Sequence, residues 1–301
     1  MLKVAVILNG ISPKKKLFYS KILPELQPVA DVEVFETLTL RDAVTLASRA
    51  VRKLFDVILA AGGDGTLNQT INGVLRGSES NSKLPVVGVI PLGTGNDFAK
   101  AAGITANPKE LVGKLKNFNP SPIDVGSIAF QKEGKKKITY FVNIADVGMG
   151  PEVVKRVNNS DRLFGFSTTY YTAILKNFLT YKPIHVSIQT DKEEWDTKVR
   201  TFAVANGKYF GHGLCIAPDA LLDDAVFQTF TVGDVSVFDF IRYSATLKSG
   251  KKINHPKVVY GSAKSVRIDS TTQALIEADG ELVGHLPATI ELLEKRIQFL
   301  K

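Results

Sequence analysis

Residues 57–61, Val-Ile-Leu-Ala-Ala, run without a break into Gly62-Gly63-Asp64-Gly65-Thr66-Leu67-Asn68. An apolar run of this length, ended by glycines and leading into a helical pattern near Leu67, predicts a strand, a tight turn and a helix, with the strand buried on both faces. The same grammar recurs nearby. Residues 4–8 and 85–90 are short apolar runs, 32–35 reads as a strand, and 17–26 and 67–75 have helical spacing. Residues 42–54 place Ala43, Leu46, Ala47, Ala50, Val51 and Leu54 on one helical stripe. Strands alternating with helices predict a parallel, doubly wound, Rossmann-like α/β domain.

The texture changes from about residue 121. Short β-rich segments take over at 138–143, 184–189, 199–205, 226–231, 257–260, 265–269 and 274–278, and helical spacing survives only at 166–179 and 237–249. This predicts an all-β second half, a sandwich. The expected division is 1–122 for the α/β domain, 123–287 for the β-sandwich, and 288–301 as a segment returning to the first domain. No low-complexity linker separates the halves, and a groove between two such domains is the default place for a ligand.

Composition narrows the setting. With 301 residues, 44% of them hydrophobic, the chain can build a substantial core, and its length suits two domains. No stretch reaches the ~18 consecutive apolar residues of a membrane span, and Met1 leads straight into a strand-like run, so a cytoplasmic protein is expected. The one cysteine, Cys215, excludes an internal disulfide and reads as a small buried apolar residue. A formal charge of +8 favours anionic partners. Aromatic interleaving and nucleic-acid modules are lacking, which ranks nucleotides and membrane surfaces above nucleic acid.

Three loops carry the chemistry. Glycines in 62–68 let the backbone approach a ligand closely, and their amides, with the positive end of the following helix, form an anion cradle suited to phosphate. Asp64, held among those amides, is placed to bind Mg²⁺ or to fix a hydroxyl; the alternative is a glycine turn with a capping Asp. A second loop, 91–100, also follows an apolar strand and offers Gly93, Thr94 and Gly95, with Asn96 and Asp97 at the start of a helix, where capping is the plainer role. Two strand ends of this kind in a parallel sheet converge on one edge. The third is Glu277-Ala278-Asp279-Gly280-Glu281, in which Asp-Gly supplies a hairpin turn. The hairpin does not need Glu281, which is either a solvated turn residue or a general base.

Together, Gly-Gly-Asp-Gly-Thr-Leu-Asn, then Gly-Thr-Gly-Asn-Asp-Phe-Ala, then Asp-Gly-Glu near the C-terminus resemble the diacylglycerol kinase and sphingosine kinase superfamily, most closely its soluble bacterial lipid kinase branch. The likeness extends to Pro-Ile-Asp-Val-Gly at 122–126, to 143–150, to Ala217-Pro218-Asp219-Ala220 with Asp223-Asp224, and to His255-Pro256-Lys257. It implies a first domain like that of NAD kinases, a second that is a β-sandwich, an active site in the cleft between them, and an ATP-dependent kinase that phosphorylates a lipid hydroxyl. The ATP site would comprise Asn9, Thr37, Gly62, Gly63, Asp64, Gly65, Thr66, Leu67, Asn68, Gly93, Thr94, Gly95 and Asn96.

The same resemblance makes Asp64, Asp97 and Asp124 an acidic network organising catalytic Mg²⁺, and Glu281 the base that takes the lipid hydroxyl's proton. It also implies a structural Mg²⁺ or Ca²⁺ held by the carbonyls of Ile216 and Leu221 and the carboxylate of Asp219. Docking would be peripheral, at the inner membrane surface, and an edge strand offers a route to a homodimer. The chain departs from the family pattern at Asn9-Gly10-Ile11-Ser12-Pro13-Lys14, where Lys14 or Lys15 is left to reach phosphate, and at Asp223-Asp224-Ala225, where Asp-Asp-Gly is usual. Arg162 is the candidate basic residue facing the acidic network. Two other readings stand beside this one. Gly-Gly-Asp-Gly-Thr also occurs in NAD kinases, whose acceptor is soluble, and a nucleotide-binding protein without catalysis would keep the phosphate loops alone.

Overall fold

The strand Leu2–Leu8 and its neighbour Val57–Gly62 are buried almost throughout, as continuous apolar runs must be when a sheet is covered on both faces. The computed structural model describes residues 1–39, 41–78, 83–159 and 166–301, with the side chains of Asn158 and of residues 166–169 left aside. Arg162 lies outside the described residues. Two compact units emerge, Met1–Ile123 with Lys295–Lys301, and Asp124–Glu294.

In the first unit the parallel strands run Ala30–Glu36, Leu2–Leu8, Val57–Gly62, Val86–Pro91 in spatial order, and Phe299 pairs alongside Val87. Strand order therefore reverses between Leu2–Leu8 and Val57–Gly62, and in open sheets of this kind ligands bind where the carboxyl ends of such strands meet. One face packs Val4, Val6, Leu8, Leu59 and Ala61 against Phe18, Ile22, Leu26 and Leu115. Helices Asp42–Arg52 and Asp64–Gly77 pack closely enough that a Cβ at Gly73 would meet Ala47 Cβ at 2.7 Å. This is the α/β domain that alternating strands and helices predict.

The second unit is a sandwich. Its six-stranded sheet runs Val258–Ala263, Phe227–Val232, Thr201–Ala205, Ile144–Gly148, Leu275–Ala278, Glu281–His285, with antiparallel neighbours. The facing layer includes Ser265–Asp269, Ile184–Thr190, Glu194–Val199 and the hairpin Ser121–Lys132/Lys135–Phe141. Phe141, Val147, Phe202, Val204, Phe227, Val186, Ile188, Val266 and Ile290 share one core. Arg200 marks where the chain leaves one sheet for the other, so the expected strand 199–205 is two strands.

Among the described residues three helices cover the far face of the six-stranded sheet: Met149–Asn158, which the sequence pattern did not show, and Phe166–Thr180 and Val237–Lys248, which match the expected helical stretches 166–179 and 237–249. The first was hidden by Gly150-Pro151. Pro is tolerated in a first turn because its missing N–H would have had no intrahelical acceptor there. Alternation then decides which residues meet the helices. Along Ile144–Gly148, Ala145 and Val147 enter the sandwich core while Ile144 joins the helix-side core, so Asp146 also faces the helices.

Candidate active site

At the carboxyl edge of the parallel sheet the two glycine loops touch backbone to backbone. Leu92 N and Gly93 N both donate to Gly62 O, at 2.9 and 3.0 Å, and a Cβ at Gly63 would lie 3.2 Å from Gly93 Cα. Gly63 is the N-cap of Asp64–Gly77 and no side chain caps that helix, so its first-turn amides and the positive end of its dipole are presented at the loop. Asn9 closes one side, its Nδ2 donating to Thr66 Oγ1 at 3.4 Å, and Thr37 Oγ1 accepts from Gly10 N at 3.1 Å. Lys14 Nζ reaches Gly93 O at 3.1 Å, which sets a cation beside the loops, whereas Lys15 pairs with Glu36. Thr94 and Gly95 lie at the loop, with Thr94 exposed. Leu67 and Asn68 are buried instead, and Asn68 accepts from Asn72 Nδ2.

Asp64 is fixed from both oxygens. Oδ2 accepts from Asp97 N at 3.1 Å and Oδ1 from Phe98 N at 3.0 Å, which ties the first loop to the start of the helix Asp97–Ala101. Asn96, at φ 54°, turns back so that its side chain both accepts from Gly93 N and donates to Gly93 O. Asn tolerates that left-handed backbone better than most residues. The structure thus gathers Asn9, Thr37, residues 62–66, Gly93, Asn96 and Asp97 within one domain.

The acidic residues of the second domain serve different purposes. Asp124 is wholly buried; its Oδ2 accepts from Ala225 N at 2.8 Å, and its carbonyl accepts from Asn206 Nδ2. It thereby holds the turn at Ala225, whose φ is 59°, where the family pattern has glycine. Asp279 and Gly280, with φ of 50° and 84°, make the predicted two-residue turn. The Asp279 carboxylate also accepts from the amides of Val142, Asn143 and Ile144, each at 3.0 Å. Glu281 stands just beyond, exposed, in register with Ala278.

Sequence reasoning missed a buried carboxyl pair. Asp146 and Glu277 are direct cross-strand partners, 1% and 0% exposed. Among the described residues neither Asp146 oxygen meets a donor, while Glu277 Oε2 accepts from Gly280 N at 2.8 Å. Two acceptors in contact are stable when one proton lies between them, and burial pushes both carboxyls up, Asp146 to about 7. The signal was an acid in an otherwise apolar strand, at 144–148 and again at 275–278.

Asp146 also lines a cavity of about 110 Å³ within the second domain, between its sheet and its helices. That exceeds several-fold the ~15 Å³ a single water needs. The walls are overwhelmingly apolar, including Val153, Ile174, Phe178, Phe230, Phe240 and Leu247, with Arg200 and Asp239 among the few charged residues. Asp146 and Arg200 Nη sites differ sharply in satisfaction, since Arg200 donates to Tyr181 O and Asp234.

The resemblance implies two metals, and each has its own set of donors here. Asp64 keeps a lone pair on each oxygen, and Mg²⁺ is commonly bound by one or two carboxylates with nucleotide phosphates completing its shell. Among the described residues no group of three or more His, Cys, Asp or Glu is assembled for a metal. The second set, two carbonyls and one carboxylate, is all oxygen, as a hard cation requires. Asp219 Oδ2 pairs there with the exposed Lys252 ammonium, a surface ion pair that leaves the other oxygen for a hard cation.

An α/β domain whose two glycine loops meet at the sheet edge, followed by a β-sandwich, is the domain arrangement of a class of kinases. Residues 3–128 match the diacylglycerol kinase catalytic domain, and residues 143–301 match the YegS C-terminal NAD kinase beta sandwich-like domain. The chain belongs to the family built from these two domains. Diacylglycerol kinases of Staphylococcus carnosus and Bacillus subtilis are each 29% identical to it, over 99% of this chain and 95% of theirs. In fold it is similar to a diacylglycerol kinase crystal structure from Bacillus anthracis (TM-score 0.72, 21% identity, 99% of this chain and 96% of that one). It is also similar to yeast NADH kinase in complex with NADH (TM-score 0.53, 13% identity, 99% and 82%).

Proposed function

We propose that the protein is an ATP-dependent lipid kinase that transfers the γ-phosphate of ATP to the hydroxyl of diacylglycerol or a related lipid. The observation that carries the lipid is the apolar cavity of the second domain, which suits an acyl chain and has too few polar groups for a sugar or a nucleotide. The observation favouring ATP is the double glycine loop with Lys14 beside it. Family membership supports the kinase class, and the diacylglycerol kinases among its relatives support the acceptor.

In this reading the amides of residues 62–66 and Lys14 hold the phosphates, and Asp64, with Asp97, is the carboxylate that receives Mg²⁺, whose chemistry when bound is to neutralise phosphate charge. The lipid hydroxyl oxygen bonds to the γ-phosphorus as the bond to the bridging β–γ oxygen breaks. ADP leaves, and the hydroxyl proton passes to Glu281. Most of the catalysis is positioning, as phosphoryl transfer requires. Asp124 holds the turn at Ala225 and contributes to the acidic network.

The likeness to NADH kinase favours a second reading, phosphorylation of a soluble dinucleotide. Purified protein incubated with labelled ATP and Mg²⁺ decides between them, given diacylglycerol, monoacylglycerol, sphingosine and phosphatidylglycerol in mixed micelles beside NAD and sugar phosphates. Label in a lipid is the expected result. Label confined to NAD would replace the proposal with the second reading. Val153→Trp, which fills the cavity, should remove lipid transfer while ATP binding persists.

A further inference from the structure

The helix Val237–Lys248 is apolar on two opposite sides. Inward, Phe240, Tyr243 and Leu247 line the cavity, and Phe240 stacks on Phe178 with ring centroids 4.9 Å apart. Outward, Phe238, Ile241, Arg242, Ala245 and Lys248 are all exposed, the i, i+3, i+4, i+7 and i+10 positions of one stripe. Core packing accounts for the inner side. It leaves unexplained why Phe238, 78% exposed, and Ile241, 50% exposed, sit one turn apart in solvent. Leu179, the residue after Phe178, is a further exposed apolar side chain at the end of the helix packed against this one.

Charge on this surface is one-sided. Arg242, Lys248 and Lys251 are exposed. The acids of the same stretch are already engaged: Asp234, with its side chain exposed, is paired with Arg200, whose Nη2 donates to it at 2.8 Å, and Asp239 caps the helix through Ser236. An apolar tip flanked by cations is the arrangement with which a surface helix enters an anionic bilayer, apolar side chains reaching the acyl boundary and basic ones meeting headgroups. A second copy of the chain is a poor match, because a two-fold pairing of this face would set its cations against themselves.

We propose that the outer face of Val237–Lys248, with Phe238 and Ile241 as its apolar tip and Arg242, Lys248 and Lys251 as its cationic flank, docks on an anionic lipid bilayer. The helix would then be both the membrane-facing element and the wall of the cavity, giving a lipid a short path from one to the other. This deepens the lipid-kinase reading and rests on it for its purpose, although the docking itself needs no turnover.

The test is flotation of the full-length protein with vesicles of phosphatidylcholine alone and of phosphatidylcholine mixed with phosphatidylglycerol. The wild type should bind the mixed vesicles and weaken as salt is raised. Phe238→Ser with Ile241→Ser should lower that partition by about tenfold or more, and neutralising Arg242, Lys248 and Lys251 to Gln by about fivefold per cation. Both variants should keep the wild-type circular dichroism and melting temperature, and their transfer to a short-chain, monomerically dispersed diacylglycerol should be unchanged. Undiminished vesicle binding by the folded Phe238→Ser/Ile241→Ser variant would overturn the proposal. So would a wild-type dimer that this variant converts to monomer in sedimentation, which would give the face to a second copy. Loss of vesicle binding in a protein that labels no lipid would sink the kinase reading and leave the docking face standing.

Discussion

A side-chain carbon at Gly93 would lie 2.3 Å from Gly63 Cα and 3.0 Å from Gly63 N, so the two glycine loops can meet only as bare backbone. Real Cβ atoms do not approach backbone so closely, and the loops must part to admit one. Gly93→Ala should therefore weaken binding of an ATP analogue by about tenfold or more, through misplaced amides rather than lost charge. Isothermal titration checks this, and an affinity within twofold of wild type would remove the loop contact from the nucleotide site.

Asp64 carries two jobs that a conservative variant separates. Its carboxylate accepts from the amides of Asp97 and Phe98, and it is also the proposed receiver of Mg²⁺. Asp64→Asn keeps the shape and one acceptor but loses the charge. A stability loss of about 1–2 kcal/mol is expected from the weakened pair of hydrogen bonds, against a drop in phosphate transfer of ~100-fold or more. Chemical denaturation and single-turnover rates measure the two effects. A stability loss with near-normal turnover would make Asp64 purely structural.

Two acids in one short turn should behave oppositely. Asp279 receives three backbone amides and is buried, so Asp279→Ala leaves those donors without their acceptor and should cost about 2–4 kcal/mol. Glu281 is exposed and begins the return strand, so Glu281→Gln should leave the melting temperature unchanged within error. If Glu281 takes the hydroxyl proton, that variant keeps ATP binding while transfer falls by ~100-fold or more. Retained transfer would reduce Glu281 to a solvated turn residue.

What was legible in the sequence follows from how many physical constraints act on each residue locally. The runs 4–8, 57–61 and 86–90 read as buried strands because a covered parallel sheet excludes polar residues from both faces, and Asp279-Gly280 reads as a turn because few pairs accept two positive φ angles. The joining of residues 62–66 to Gly93 and Asn96 was foreseeable from two similar strand ends in one sheet. The clamp of Asp279 on residues 142–144 was not, because its partners lie more than 130 residues away and any hairpin would carry the same Asp-Gly. Asp146 and Glu277 were missed for the same reason, each looking like a lone acid until pairing of their strands set them opposite one another. The helix Met149–Asn158 was obscured by Gly150-Pro151, although glycine at 150 has a cause: a Cβ there would strike Asp146 Oδ2 at 2.0 Å.

The Asp146–Glu277 pair makes stability depend on pH with a definite sign. Burial raises both carboxyls, so between the ordinary carboxylate range near pH 4 and about pH 7 the folded chain holds a proton that the unfolded chain has released. The folded state then binds more protons than the unfolded one, and this contribution to stability falls as pH rises through that window, by up to ~1.4 kcal/mol per pH unit for each proton held. Glu277→Gln supplies a permanent donor to Asp146 and no longer needs the shared proton. It should flatten the loss of melting temperature between pH 5 and pH 7 (the window just given) relative to wild type. Scanning calorimetry in matched buffers across that range makes the comparison, and identical pH profiles for the two proteins would mean that the pair stays ionised, with no proton between its carboxyls.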